Sequence, residues 1–128
     1  MTATNKIVRM HEPAAGNCVA VNEVIALIHD KWTILVLGVL HHNKTLRYGE
    51  LQRAVAGISQ RMLTLSLKTL EQNGLVKRSA FATVPPRVEY ELTALGTSLR
   101  APLRGLLDWS IANRAAIAEA RRAYAKTT

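Results

Sequence analysis

Residues 59–74, SQRMLTLSLKTLEQNG, constrain this chain more than any other stretch. Ser59 suits an N-cap, because its hydroxyl can take a backbone N–H that the first helical turn leaves unpaired. Gly74 suits the stop, since it accepts the left-handed backbone on which many helices end. Between them Leu63, Leu67 and Leu70 recur at i, i+4 and i+7 and make one apolar stripe. Arg61, Thr64, Leu65 and Lys68 recur at i, i+3, i+4 and i+7 and fall together on a different face. The spacing therefore predicts a helix that packs with one face and presents the other.

What surrounds this helix places it in a fold. Up to residue 17 the chain mixes Pro, Gly and polar residues and reads as a flexible N-terminal arm; residues 18–128 read as a single domain. Val21, Val24, Ile25 and Ile28 follow a helical period over residues 20–28. Asp30 can cap a second helix from residue 31 to about 41. Its Trp32, Ile34, Leu35, Val36, Leu37, Val39 and Leu40 leave little polar surface, which puts it at the centre of the fold. HNKTLR reads as a connector, a short helix follows at about residues 48–55 with Leu51 and Val55 on one face, and Ala56-Gly57 makes a turn. Beyond Gly74, VKRSAFA and RVEYEL read as two strands joined by Thr83-Val84-Pro85-Pro86, with Val88, Tyr90 and Leu92 on one face. Thr93 can cap the next helix, and a long apolar and basic helix follows from Pro102, tolerable in a first turn, to about residue 123. The expected fold is mainly α with a small β-hairpin (α+β), in the element order of a winged helix-turn-helix.

Charge favours a polyanionic partner without locating it. The 128 residues carry a net +8 and a pI near 10.3, and the excess is spread along the chain, strongest after residue 93. No stretch approaches the roughly 18 uninterrupted apolar residues of a membrane span. With no apolar core of secretory length in the first 17 residues, the expected location is the cytoplasm and no membrane partner is expected. The one cysteine, Cys18, excludes an intrachain disulfide framework.

An ordered set of motifs resembles one family. Cys18 is followed thirteen residues later by Lys31-Trp32-Thr33; then come LRYGELQRAVAGIS, RMLTLSLKTLEQNGLVKR, PPRVEYELTALG and Trp109. The set is similar to the HxlR-type branch of the MarR-like bacterial transcriptional regulators. That resemblance implies a homodimeric winged-helix DNA-binding regulator, more often a repressor, without a catalytic role. It also implies a response to electrophiles, oxidants or small aromatic compounds in many members. The chain departs from the pattern at His29-Asp30, where small residues are usual, and at Tyr48, where Phe is commoner. It departs again at Phe81-Ala82-Thr83, where a Tyr-Pro pair and an acidic residue are typical, and at Leu65, where a polar residue is common.

Each candidate site has a functional and a plainer reading. In a helix-turn-helix the start of the second helix meets base edges in the major groove. Arg61 can then bond a guanine bidentately, Gln60 an adenine, and Thr64 can offer hydroxyl or methyl. Lys68 suits a phosphate, Ser59 can cap the helix and touch the DNA backbone, and Leu65 can only meet a thymine methyl or lower selectivity. Otherwise this is a solvated helix face. In the hairpin, Lys77, Arg78 and Arg87 can reach phosphates or a minor groove, and Thr83 removes an acidic repulsion; the plainer role is protection of a strand edge by charge. The resemblance places Cys18 where relatives carry a redox-active cysteine. With no second cysteine, oxidation must join subunits or recruit a small thiol, and adduct formation is the other route; the plainer reading is an inert packed thiol.

Val21, Leu99, Leu103, Leu106, Leu107, Trp109 and Ile111 offer more apolar surface than one small domain buries. This predicts an isologous homodimer through helices at about residues 18–29 and 102–124, against packing within its own domain. His41-His42 diverge by about 100° on a helix and do not chelate, so no metal or other cofactor is expected; nor is there a nucleophilic constellation. The expected partners are double-stranded operator DNA, a second copy of the chain, and an electrophile or small apolar inducer between the central and dimer helices. The alternative from another class is a winged-helix protein-interaction module without operator binding.

Overall fold

A computed structural model of the chain describes residues 15–28 and 30–127. Residues up to 14 of the expected arm lie outside them, and residues 15–17 of that arm are already helical, because helix α1 spans Ala15–Ile28. Asp30 caps α2, Lys31–His42, by accepting from the Thr33 N–H at 2.9 Å and from the Thr33 hydroxyl at 3.1 Å. The second bond satisfies the hydroxyl of a residue that is only 2% exposed. Val36, Leu37 and Leu40 of α2 lie in the centre of the core, as its nearly unbroken apolar sequence requires.

The segment expected as a connector contains a short strand. Leu46–Arg47 forms β1, antiparallel to a later strand with Leu46 opposite Tyr90 and Arg47 opposite Glu89. α3, Tyr48–Ala54, starts where the Glu50 carboxylate takes the Arg47 N–H at 2.8 Å, and it buries Leu51 completely. Gly57, at φ +85°, supplies the left-handed turn residue between the two helices of the motif.

α4, Gln60–Gln72, begins as its sequence predicts, with the Ser59 hydroxyl accepting from Met62 N–H at 3.1 Å. It ends in a left-handed cap at Gly74, φ +77°. There Leu75 N–H returns to the Leu70 carbonyl and Gly74 N–H to the Glu71 carbonyl, which is the paired bonding of a Schellman motif. Strands β2, Val76–Phe81, and β3, Arg87–Leu92, pair antiparallel, and β3 is central in the order β1-β3-β2. The tip between them contains a cis Val84–Pro85 peptide.

Thr93 joins several segments. Its N–H bonds the Leu75 carbonyl; its hydroxyl donates to the Gly74 carbonyl at 2.6 Å and accepts from Gly96 N–H at 3.1 Å, capping α5, Ala94–Ser98. Gly96 sits so close to the backbone that any Cβ there would collide with the Leu75 carbonyl oxygen. α6, Arg100–Thr127, then runs for 28 residues with Pro102 in its first turn. The core is one cluster in which α2, α3 and α4 meet the inner face of the sheet, with Tyr90 and Leu103 at its margins. The architecture is a winged helix-turn-helix, mainly α, with a three-stranded sheet where two strands were expected. No single helix among the described residues is long and apolar enough to cross a membrane.

Candidate nucleic-acid interface

The two faces of α4 separate cleanly. Leu63, Leu67 and Leu70 are buried with Ser66, whereas Ser59, Gln60, Arg61, Thr64, Leu65 and Lys68 are all exposed. Leu65 keeps 46% of its surface, so the presented face carries one apolar residue among polar ones. Burial of the leucines fixes the rotation of the helix about its axis, and Arg61, Thr64, Leu65 and Lys68 face outward as a result. Among the described residues neither Arg61 nor Lys68 forms an ion pair, leaving both cations available. One residue missed as part of this face is Tyr48 of α3. Its phenol lies 2.8 Å from the Gln60 carbonyl and 2.8 Å from the Thr64 hydroxyl, tying the first helix of the motif to the second.

The four candidate residues of the wing do not act as a group. Arg78 is opposite Tyr90 in the register, and the two share an open groove of about 410 Å³ with Tyr48, Thr64, Lys68 and Glu71. This groove runs between the presented face of α4 and the hairpin. Lys77 lies on the other face of β2, opposite Glu91. Arg87 is also on that outer face; its Nε lies 3.1 Å from Glu89 Oε2 and its guanidinium covers the Phe81 ring at 4.5 Å. Arg87, expected to reach DNA from the wing, is half-buried and held by these neighbours. Thr83 is exposed at the tip, with its hydroxyl donated to the Pro85 carbonyl at 2.7 Å. Strand alternation was the signal that separates Lys77 from Arg78, since adjacent side chains point to opposite faces.

Cys18 is half-buried on α1, with the Asn22 side-chain amide 3.7 Å from its sulfur. Lys31, thirteen residues beyond Cys18, places its ammonium over the Trp32 ring at 4.6 Å; His29 lies outside the described residues. His41 and His42 turn to different carbonyls, those of Gly96 and Gly38. A carbonyl only accepts, so each contacting ring nitrogen is the donor.

The expected dimer residues divide in two. Leu103 is buried in its own domain, and Leu99 packs against the same core while staying partly exposed. Leu99 follows the last residue of α5, and Leu103 lies in the first turn of α6. Val21, Leu106, Leu107, Trp109 and Ile111 remain exposed, and Ile111 keeps 76% of its surface.

Comparison with known proteins gives a consistent result. Residues 27–117 match the model of the HxlR-like helix-turn-helix family. The HTH-type transcriptional regulator YtfH of Escherichia coli is 40% identical over 87 residues, 68% of this chain and 68% of its own length. Among solved structures, the redox regulator HypR in its reduced form superposes with a TM-score of 0.72 at 33% identity, covering 78% of this chain and 98% of HypR. The reduced transcriptional regulator YodB of B. subtilis gives 0.63 at 34% identity, over 70% and 86% of the two chains.

Proposed function

The chain belongs to the HxlR-like helix-turn-helix family of transcriptional regulators, and on that premise we propose a homodimeric repressor that reads a pseudo-palindromic operator. The observation that carries this is the exposed face Gln60, Arg61, Thr64, Leu65 and Lys68, presented by a helix whose opposite stripe is wholly buried. In each subunit this face enters a major groove. Arg61 and Gln60 sit at the helix N-terminus, where base edges are met, and Lys68 and Arg78 flank the groove toward the wing, where phosphates pass. The exposed side chains Val21, Leu106, Leu107, Trp109 and Ile111 form the isologous contact, and two-fold symmetry then sets half-sites about one helical turn apart or a multiple of it.

Binding to the DNA upstream of the protein's own gene, followed by fluorescence anisotropy, is expected to saturate and to weaken steeply with salt, as condensed counterions are released. Absence of saturable, salt-sensitive binding would refute operator recognition and favour a protein-docking module. Inducer control has two supports. Cys18 is partly accessible on α1, and the likeness to HypR, a redox regulator, makes thiol oxidation between subunits or addition to an electrophile the first choice. An apolar groove of about 330 Å³ beside Gly38, lined in part by Ile34, Leu35, Val39 and Leu107, suits a small apolar ligand. Diamide or a quinone releases the DNA in the first case, and Cys18→Ser abolishes that release; a Cys18→Ser protein that responds normally excludes the thiol route.

A further inference from the structure

We propose that Tyr48 fixes the hydrogen-bond polarity of Thr64, so that Thr64 meets DNA only as an acceptor. The inference rests on the reading of the α4 face as a major-groove surface and adds what one of its residues recognises. Tyr48 Oη lies 2.8 Å from the Gln60 carbonyl oxygen, and it lies 2.8 Å from Thr64 Oγ1. A carbonyl oxygen has no proton to give, so the single phenolic proton goes to Gln60. The second contact is then a hydrogen bond only if the Thr64 hydroxyl donates to Tyr48. Thr64 has one hydroxyl proton, and this arrangement turns it inward. What the exposed side of Thr64 has left is lone-pair density.

The consequence is a rule about bases. In the major groove the exocyclic amino groups of adenine and cytosine donate, whereas guanine O6 and N7 and thymine O4 accept. An acceptor-only Thr64 favours the amino groups and is repelled by the others. Every base pair shows one such amino group in the groove, so Thr64 reads which strand carries it: A or C over G or T at one position of each half-site. Tyr48 is the positioning residue; phenylalanine in its place has no oxygen to receive the Thr64 proton.

The test selects a randomised duplex DNA library on the full-length protein, and repeats the selection with Thr64→Ala, Thr64→Ser and Tyr48→Phe. One position is expected to lose its A-or-C preference with Thr64→Ala and to keep it with Thr64→Ser. With Tyr48→Phe the preference falls toward unity, because the hydroxyl proton is released. On the selected duplex, the wild-type protein is then tested against purine in place of that adenine, or 2-pyrimidinone in place of that cytosine. Removal of the amino group is expected to weaken wild-type binding roughly 2- to 12-fold, the worth of one neutral hydrogen bond, and to leave Thr64→Ala binding unchanged. The wild-type arm of this last measurement needs no folded variant, and the Thr64→Ala arm assigns the lost contact to Thr64. A Thr64-dependent G or T, an amino deletion without effect, or a preference untouched by Tyr48→Phe overturns the proposal. Selection of no sequence at all by the wild-type protein removes the major-groove reading itself, and the proposal with it.

Discussion

α4 and α6 are both amphipathic helices, but they complete themselves in different ways. α4 buries its leucines inside one chain and shows solvent a polar face. α6 has one buried residue, Leu103, and carries Leu106, Leu107, Trp109 and Ile111 uncovered on the helix beyond it. A single subunit therefore covers the apolar stripe of α4, whereas that of α6 is left for the partner in the dimer proposed above. A helix-turn-helix that docks as a dimer requires this division, since each reading head must be rigid before the two are joined at a set distance.

The largest expected effect tests the self-sufficiency of α4. Leu63→Ala removes a fully buried side chain and is expected to cost about 2–5 kcal/mol, read as a lower urea midpoint; a change under 1 kcal/mol would mean that α4 is not anchored as described. Gly96→Ala attacks the joint between the two helices. The new methyl group meets the Leu75 carbonyl, which cannot yield without shifting the end of α4, and the expected loss is about 3 kcal/mol. Trp109→Ala addresses α6 alone. It is expected to weaken dimerisation by about 2 kcal/mol, roughly thirtyfold, in sedimentation equilibrium while the secondary structure of the domain is retained. If the same variant unfolds the subunit, the contrast between the helices collapses.

Two smaller effects concern the presented face. Arg61→Ala is expected to cost about 1–3 kcal/mol at one base position of each half-site, whereas Arg78→Ala weakens all sequences evenly and lowers the salt slope. Equal, sequence-blind losses from both would count against base reading by Arg61. Leu65→Gln is expected to leave stability within about 0.5 kcal/mol, as at other exposed sites, and to change base preference.

How far the sequence could be read depended on how far apart the interacting residues lie. Ser59, Asp30 and Thr93 cap helices through bonds three residues long, and each was legible. The leucine stripe of α4 was legible too, because helical period alone sorts its faces. β1 was not: two residues carry no pattern, and Leu46 and Arg47 become a strand only by meeting Tyr90 and Glu89. Leu103 shows the same limit, since periodicity marks it as apolar without saying which surface covers it. Arg87 needed the register that sets Phe81 beside it, and the Tyr48–Thr64 contact spans sixteen positions with no local trace.

The Thr93 hydroxyl bears on how accurately the chain can measure DNA. It holds the Gly74 carbonyl at one end of α4, and the Tyr48 phenol holds the Gln60 carbonyl at the other. In an engineer's terms the helix is a beam supported at both ends and not a cantilever. Its 13 residues span about 20 Å, so a tilt of only about 5° pivoting at the Thr93 support would sweep the far end by nearly 2 Å. Base discrimination tolerates displacements of about 0.5 Å. The two end supports act together with the buried Leu63, Leu67 and Leu70, and for the reading helix proposed above they hold both ends of α4 against such a tilt.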